Sequence, residues 1–414
     1  MIYYTKMFGL FKKRTSLPVV YKRPEHCISR KNIDPCALKV LYRLSGLGYT
    51  AYLVGGGVRD LLLGREPKDF DVGTSAKPGE VKRAFRNCFL VGRRFRLAHI
   101  RFGAKVIETA TFRRNSQTVG EIIEHAAEGP MEDNEFGNPE TDANRRDFTV
   151  NGLFYDISDF SVIDWVGGMR DLEKRILRSI GDPEIRFQED PVRMMRAIKF
   201  SSRLGFKIER KTAAAMQKFH RCILTASQPR VCEEVFRLFS YGSSEEAFKQ
   251  MYTYGLLGDL VPELSEFIKK DGGVRSSTFK YLRVLDEYTK MMEEKGFEVS
   301  NGLRMAVLMT SMFRAEKPAE GVYPSRRVMQ ILLQSLKIPK SSYFTAVTLL
   351  ESMRRLSLPP SKGKRRFIHN RDFLDALDYN RIVLKAEKRS EKILNEWSDL
   401  YEEKGVTNEP KEES

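Results

Sequence analysis

The chain has 414 residues, 41% of them hydrophobic and 30% charged, and its 71 Lys and Arg against 55 Asp and Glu leave a formal net charge of +16. That length is too great for one ordinary domain and predicts roughly two to four structural units of a soluble globular protein. The positive balance points to a polyanionic partner, nucleic acid ahead of an anionic membrane surface. No apolar run approaches the length of a membrane span. Cys27, Cys36, Cys88, Cys222 and Cys232 are odd in number and form no C-x-x-C, which argues against a disulfide scaffold or a zinc site and fits a reducing cytosol.

Residues 1 to 35 read as irregular, broken by Pro18, Pro24 and Pro35. Lys12, Lys13, Arg14, Lys22, Arg23, Arg30 and Lys31 make this a flexible basic arm, either an RNA contact or a solvated lead-in. Its opening MIYYTKMFGLFKKR lacks the order of a signal peptide: basic region, long apolar region, small-residue cleavage site. Residues 35 to 48 carry apolar side chains at helical spacing, with Pro35 suited to the first turn.

The most informative stretch runs from Tyr52 to Thr74, YLVGGGVRDLLLGREPKDFDVGT. It reads as strand, tight turn, short helix, strand. In the second strand Asp69 and Asp71 are two apart and present both carboxylates to one face, while Phe70 turns into the core. Such a pair suits Mg²⁺, and two such ions can clamp an in-line displacement at phosphorus. Glycine frees backbone N–H groups to cradle phosphate, here at Gly56, and Arg59 can neutralise it. A glycine turn or a D-x-D alone is commonplace, and the stretch is neither a Walker loop nor GxGxxG. The combination carries the reading. It resembles the nucleotidyltransferase motif of the class that unites bacterial poly(A) polymerases with CCA-adding enzymes, and later motifs extend the likeness, in order, over roughly the first 240 residues. The resemblance implies that the paired aspartates bind the metals that activate a 3′-hydroxyl and hold a nucleoside triphosphate.

After Thr74, SAKPGEVKRAF reads as a turn and another helix. From Phe89 to Arg114 two alternating apolar segments predict a hairpin joined near Phe102-Gly103. Within it, Val91-Gly92-Arg93-Arg94-Phe95-Arg96-Leu97 resembles a signature that sets poly(A) polymerases apart from their CCA-adding relatives; a basic edge strand is the plainer reading. Glu108, on the later strand, is a geometric candidate for a third carboxylate, or an ordinary surface glutamate. Residues 115 to 140 read as a flexible loop. Next, Arg145-Arg146-Asp147-Phe148-Thr149-Val150-Asn151 matches the class motif RRDFTxN. Arg145 and Arg146 suit triphosphate oxygens and Asn151 the sugar. The resemblance makes Asp147 a catalytic-site residue that orients an arginine, meets the ribose or assists the metal pair. A charged helix start is the bland alternative. The following FYDISDFSVIDWVGG gives two short strands and a turn at Gly167-Gly168, with Asp164 and Trp165 structural.

Beyond Met169 the spacing is helical with no further strands, and a neck begins between Ile176 and Gly181. In Glu189 to Phe200, Pro191 suits a first helical position and Asp190 an N-cap. Asp190, Arg193 and Arg196 share one side, continued by Lys199, while Val192, Met194, Met195 and Ile198 bury the other. Asp190 can accept from the adenine 6-amino group while Arg193 donates to N1, which selects a nucleotide without a template. This resembles the EDxxR nucleotide-recognition motif of the class. Its last position there is often arginine, so Lys199 departs from it and lacks the planar fork. Pro229 to Phe239 predicts an amphipathic helix that closes the neck. Residues 353 to 366 make a basic turn, and residues 389 to 414 turn acidic toward a disordered end without an arginine-rich tail.

The expected fold is α+β: a basic arm over 1–35, a nucleotidyltransferase head with a small mixed sheet and flanking helices over 36–178, then an all-α neck over 179–240, an RNA-binding body over 241–352, and a tail over 353–414. The expected activity is template-independent addition of AMP from ATP to RNA 3′-hydroxyl ends, with Mg²⁺ as cofactor, RNA and ATP as partners, no membrane, and a cytoplasmic location. The nearest alternative is a CCA-adding or A-adding tRNA nucleotidyltransferase, and a more distant one a non-catalytic RNA-binding protein.

Overall fold

The computed structural model describes residues 18–92, 96–114, 136–316, 323–361 and 365–403. The chain folds as two compact units, with the boundary between Gly181 and Asp182.

The first unit is built on one sheet. Its strands are β1 (Val19–Tyr21), β2 (Ala51–Val54), β3 (Asp71–Thr74), β4 (Cys88–Val91), β5 (Leu97–Phe102), β6 (Lys105–Thr111), β7 (Leu153–Asp156) and β8 (Val162–Asp164), in the spatial order β1-β8-β7-β2-β3-β6-β5-β4. The β3–β6 pair is parallel and the others are antiparallel, so the sheet is mixed as expected. One face is covered by α1 (Pro35–Gly46), whose Ala37, Val40, Leu41 and Leu44 pack with Leu53, Val72, Ile100 and Ile107. The Asp34 carboxylate caps this helix by accepting from the N–H groups of Cys36 and Ala37. The β2–α2–β3 unit, with α2 spanning Gly56–Leu62, is the strand, turn, helix, strand read from the sequence. Phe70 packs against the same core. The helix expected after Thr74 is α3 (Pro78–Ala84). The β5–β6 hairpin closes through Gly103 at φ +62°, where glycine meets no steric penalty.

Several expectations are corrected. The arm is not wholly irregular: Val19–Tyr21 pairs with Val162–Asp164 and extends the sheet. Asp69 lies in the loop before β3, outside the strand that was to hold both aspartates. The last residues of the segment read as a loop open a helix instead, α4 (Pro139–Arg145), capped by Asn138. Most of that loop, 115–135, lies outside the described residues, as do Arg93, Arg94 and Phe95 of the basic signature, whose ends Val91 and Leu97 close β4 and open β5. The Gly167-Gly168 turn starts a short helix, Gly168–Glu173, and short extended segments occur at Ile176–Leu177 and Lys207–Ile208 where no strand was expected.

The second unit is otherwise helical. It begins with Pro183–Glu189 and Val192–Leu204, includes Gln228–Arg237, and continues through long helices such as Ser277–Glu294 and Lys340–Leu356. The first residues of the expected basic turn, from Met353, are the last turn of the latter helix. No described helix is long and apolar enough to cross a membrane.

Asp164 and Trp165 are structural, as read. Asp164 Oδ1 accepts from the N–H groups of Val166, Gly167 and Gly168, and Oδ2 from that of Met169. Trp165 stacks edge-on against Phe154. Replacing Asp164 by Ala leaves those buried N–H groups unmatched, and we expect a loss of about 2–4 kcal/mol in urea unfolding. A loss below about 0.5 kcal/mol shows that water replaces the carboxylate without penalty.

Candidate active site and nucleotide-recognition helix

Strand β2 runs directly into Gly55, which sits at φ +73° and ψ −134°, a conformation essentially reserved for glycine. A Cβ there would lie 2.8 Å from Nη1 of Arg146, and one on Gly57 would lie 3.2 Å from the Asp69 carbonyl oxygen. Absent side chains therefore let the turn approach both partners. Gly56 opens α2, whose first N–H groups have no partner within the helix.

Register brings the acidic residues to this turn. Val54 pairs with Asp71 across β2–β3. Val72 pairs with Thr109 across β3–β6, so Glu108 stands beside Asp71 one step back. Burial pushes the Asp71 carboxyl up to about 6; Glu108 and Asp69 add to the rise and Arg146 opposes it. Asp69 itself is exposed. Among the described residues no group of three or more His, Cys, Asp and Glu is arranged to hold a metal ion.

The arginine pair emerges from the end of α4. Arg145 Nη2 lies 2.6 Å from Asp142 Oδ1, and Arg146 Nη2 lies 2.9 Å from Asp142 Oδ2. Asp142 is buried, which opposes its ionisation, yet Arg146 and Arg145 hold its carboxyl below the usual range. Sequence reasoning missed Asp142, although its i, i+3 and i, i+4 spacing to the two arginines was the available signal. Arg146 also spreads over the Phe154 ring, 5.1 Å from its centroid.

Arg59 and Asn151 are placed differently from the sequence reading. Both are buried. Arg59 donates through Nη1 to Asn151 Oδ1 at 2.6 Å and through Nε to Asp60 Oδ1 at 2.9 Å. Asn151 Nδ2 donates in turn to Asp147 Oδ1 at 3.0 Å, which also accepts from the Phe148 N–H. Arg59 thus braces the glycine turn rather than presenting an open cation, and Asn151 is committed to the same chain. Asp147 is thereby linked to Arg59 through Asn151.

On the Val192–Leu204 helix, Arg193, Arg196 and Lys199 share the outer side, with Val192, Met194, Met195 and Ile198 buried opposite, as the spacing required. Asp190 is not its N-cap. It follows the Pro183–Glu189 helix as C-cap, with Oδ2 at 2.9 Å from Arg230 Nη2, and its buried Oδ1 has no hydrogen-bond partner among the described residues. Arg193 Nη1 donates to the Arg186 carbonyl and to Glu189 Oε2. Lys199 Nζ lies 2.7 Å from Glu234 Oε2, and Arg196 Nη1 lies 3.9 Å from Glu234 Oε1. Burial, aided by Arg196, draws the Lys199 ammonium down to about 8 against the pull of Glu234. Lys199 is therefore an anchor to the Gln228–Arg237 helix, and Arg230 and Glu234 are the residues that sequence reasoning overlooked there.

Residues 51–178 match the family described as the poly A polymerase head domain, and residues 205–268 match a probable RNA and SrmB-binding site of polymerase A. Poly(A) polymerase I of Salmonella typhi is 37% identical over 418 residues, 94% of this chain and 88% of that protein. The chain belongs to the bacterial poly(A) polymerase family. The corresponding enzyme of Escherichia coli O6:H1 is 36% identical over 95% of the chain and 89% of its own length. The CCA-adding branch lies close by: the enzyme of Lactobacillus helveticus is 37% identical over 55% of each chain. Among solved structures, the Bacillus stearothermophilus CCA-adding enzyme in complex with CTP superposes at a TM-score of 0.66, with 26% identity over 89% of this chain and 83% of that one.

The raised Asp71 carboxyl has a measurable consequence. In metal-free protein it is protonated below about pH 6, whereas an unfolded carboxyl is protonated only below about 4. Folding therefore carries a penalty that grows as pH rises from about 4 to 6 and is complete above 6. Asp71→Asn removes it. We expect the metal-free variant to melt higher than wild type at pH 7.5 and equally at pH 4; a lower melting temperature at pH 7.5 contradicts the cause given.

Proposed function

We propose that the chain, a polynucleotide adenylyltransferase by family, adds AMP from ATP to RNA 3′-hydroxyl ends without a template and releases pyrophosphate. The observation that carries this reading is the meeting of Asp71, Glu108 and Arg146 at the glycine turn. Two carboxylates, first-turn N–H groups and guanidinium charge gathered at one point suit a metal-bound triphosphate.

Gly56 and its neighbours take the phosphates, while Arg145 and Arg146, held by Asp142, supply positive charge. Arg59, Asn151 and Asp147 keep the turn in shape from behind. Asp69 and Asp71 would hold Mg²⁺. The fit is good in kind: the donors are carboxylate oxygens, and burial together with Glu108 and Asp69 disfavours the Asp71 charge, a cost that a bound cation would relieve. Bound Mg²⁺ supplies charge neutralisation at phosphorus and lowers the pKa of the attacking hydroxyl. The 3′-oxygen forms a bond to the α-phosphorus of ATP, the bond from that phosphorus to the bridging oxygen breaks, pyrophosphate leaves, and the hydroxyl proton passes to solvent.

Asp190 and Arg193 read adenine, and Arg196 supports the nucleotide. Asp190 Oδ1, an acceptor lacking a partner among the described residues, suits an exocyclic amine once the carboxylate turns toward it. Lys199 contributes by fixing this helix through Glu234 rather than by touching base. The net charge of +16 suits RNA, and free cysteines suit a cytoplasmic enzyme of RNA 3′-end and mRNA processing. The likeness to CCA-adding enzymes keeps one second reading alive, because cytosine also pairs an exocyclic amine with a ring acceptor.

Two labelled RNAs separate these readings, one with a generic 3′ end and one a tRNA lacking CCA, each given ATP, CTP or both with Mg²⁺. Long ladders with ATP alone on the generic RNA are expected. Addition that stops at CCA on the tRNA transfers the same residues to the alternative. Asp69→Ala and Asp71→Ala should each lower transfer by at least about a hundredfold with the fold retained; retained turnover in a metal-replete assay sinks the assignment.

A further inference from the structure

The pairing of four strands lines up one transverse row of side chains on the face of the sheet opposite α1. Asp71 on β3 stands beside Glu108 on β6, Glu108 pairs with His99 on β5, and His99 pairs with Phe89 on β4. His99 Nε2 and Glu108 Oε1 are 3.7 Å apart. The alternate residues of these strands, Val72, Ile107, Ala98, Ile100 and Cys88, point the other way into the core. The row therefore runs from the catalytic carboxylate to the sheet edge on one surface. At about 4.8 Å per strand it is about 14 Å long.

The far end of this row is unusual for a surface. Phe89 is 58% exposed, and Val91 next to it on the same face is 47% exposed. The Arg101 guanidinium lies over the Phe89 ring, 5.9 Å from its centroid. Val106, cross-strand from Arg101, is also exposed. An exposed aromatic ring, a cation beside it and a short apolar border on a sheet are what single-stranded RNA uses elsewhere: bases stack on aromatics while cations meet the backbone. A folded chain gains nothing by leaving such a ring in water.

We propose that this strip is the track for the RNA strand just behind its reacting 3′ end, with Phe89 stacking on a base and Arg101 meeting the backbone. The proposal rests on the adenylation reading for its substrate. Continuity with Asp71 favours RNA over a second copy of the chain, because the row leads to where the 3′-hydroxyl must lie. The chain's positive charge favours it as well. Stacking tolerates any base, which suits an enzyme that extends ends without a template. Phe89 and Arg101 are positioning residues here; neither touches the reacting atoms.

The test uses the full chain with ATP, Mg²⁺ and an RNA carrying 2-aminopurine near its 3′ end. Phe89→Ala should raise KM for RNA roughly five- to hundredfold, leave KM for ATP and kcat at saturating RNA unchanged, and abolish the fluorescence quenching that stacking produces. Phe89→Trp should restore both. Phe297→Ala, which removes an equally exposed aromatic of the second unit (60% exposed), should change neither. An unaltered KM for RNA with unaltered quenching in Phe89→Ala overturns the proposal. So does a wild-type dimer that Phe89→Ala dissociates without affecting RNA, which would assign the face to self-association. A wild-type chain that builds no ladder sinks the adenylation reading, while quenching by bound RNA still decides the track.

Discussion

Everything at the candidate active site depends on the register in which β3 is held between β2 and β6. Side chains alternate along a strand, so a slip of one residue would bury Asp71 and expose Val72. Val72, fully buried in the core, forbids that slip. With the register set, Asp71 faces the end of β2, where Gly55 turns the chain, and stands beside Glu108. A buried hydrophobic residue thus decides where the Asp71 carboxylate points. The same alternation extends across β5 and β4 and produces the exposed row that ends at Phe89.

Around that frame, buried and half-buried carboxylates organise the cations. Asp142 fixes Arg145 and Arg146 together, Asp147 works through Asn151 on Arg59, and Glu234 draws in Lys199 and lies near Arg196. Burial raises the strength of each interaction because little water competes. It also makes each carboxylate costly to lose, since the partner charge would remain without compensation. Arginines held in this way have much of their side-chain freedom already removed. Asp71 shows the converse arrangement: burial and its carboxylate neighbours both disfavour its charge, with Arg146 opposing them.

Local pattern in the sequence carried the parts whose cause is local. Glycines before a helix start, alternation in the β5–β6 hairpin, the Pro35 helix and the buried side of Val192–Leu204 all follow from backbone conformation and side-chain period, which a short window contains. The family resemblance followed from motifs of the same local kind, and the relatives bear it out. Tertiary structure alone decided what depends on residues distant in the chain. Val19–Tyr21 becomes a strand only because β8 offers it an edge. Asp69 falls outside β3 because pairing begins at Asp71. Arg59 turns inward because Asn151, 92 positions later, supplies an acceptor. Asp190 meets Arg230 rather than capping its own helix. In each case the competing partners are brought together by packing, and the energy of a buried charge or hydrogen bond depends on which neighbour arrives, a quantity no local window of sequence contains.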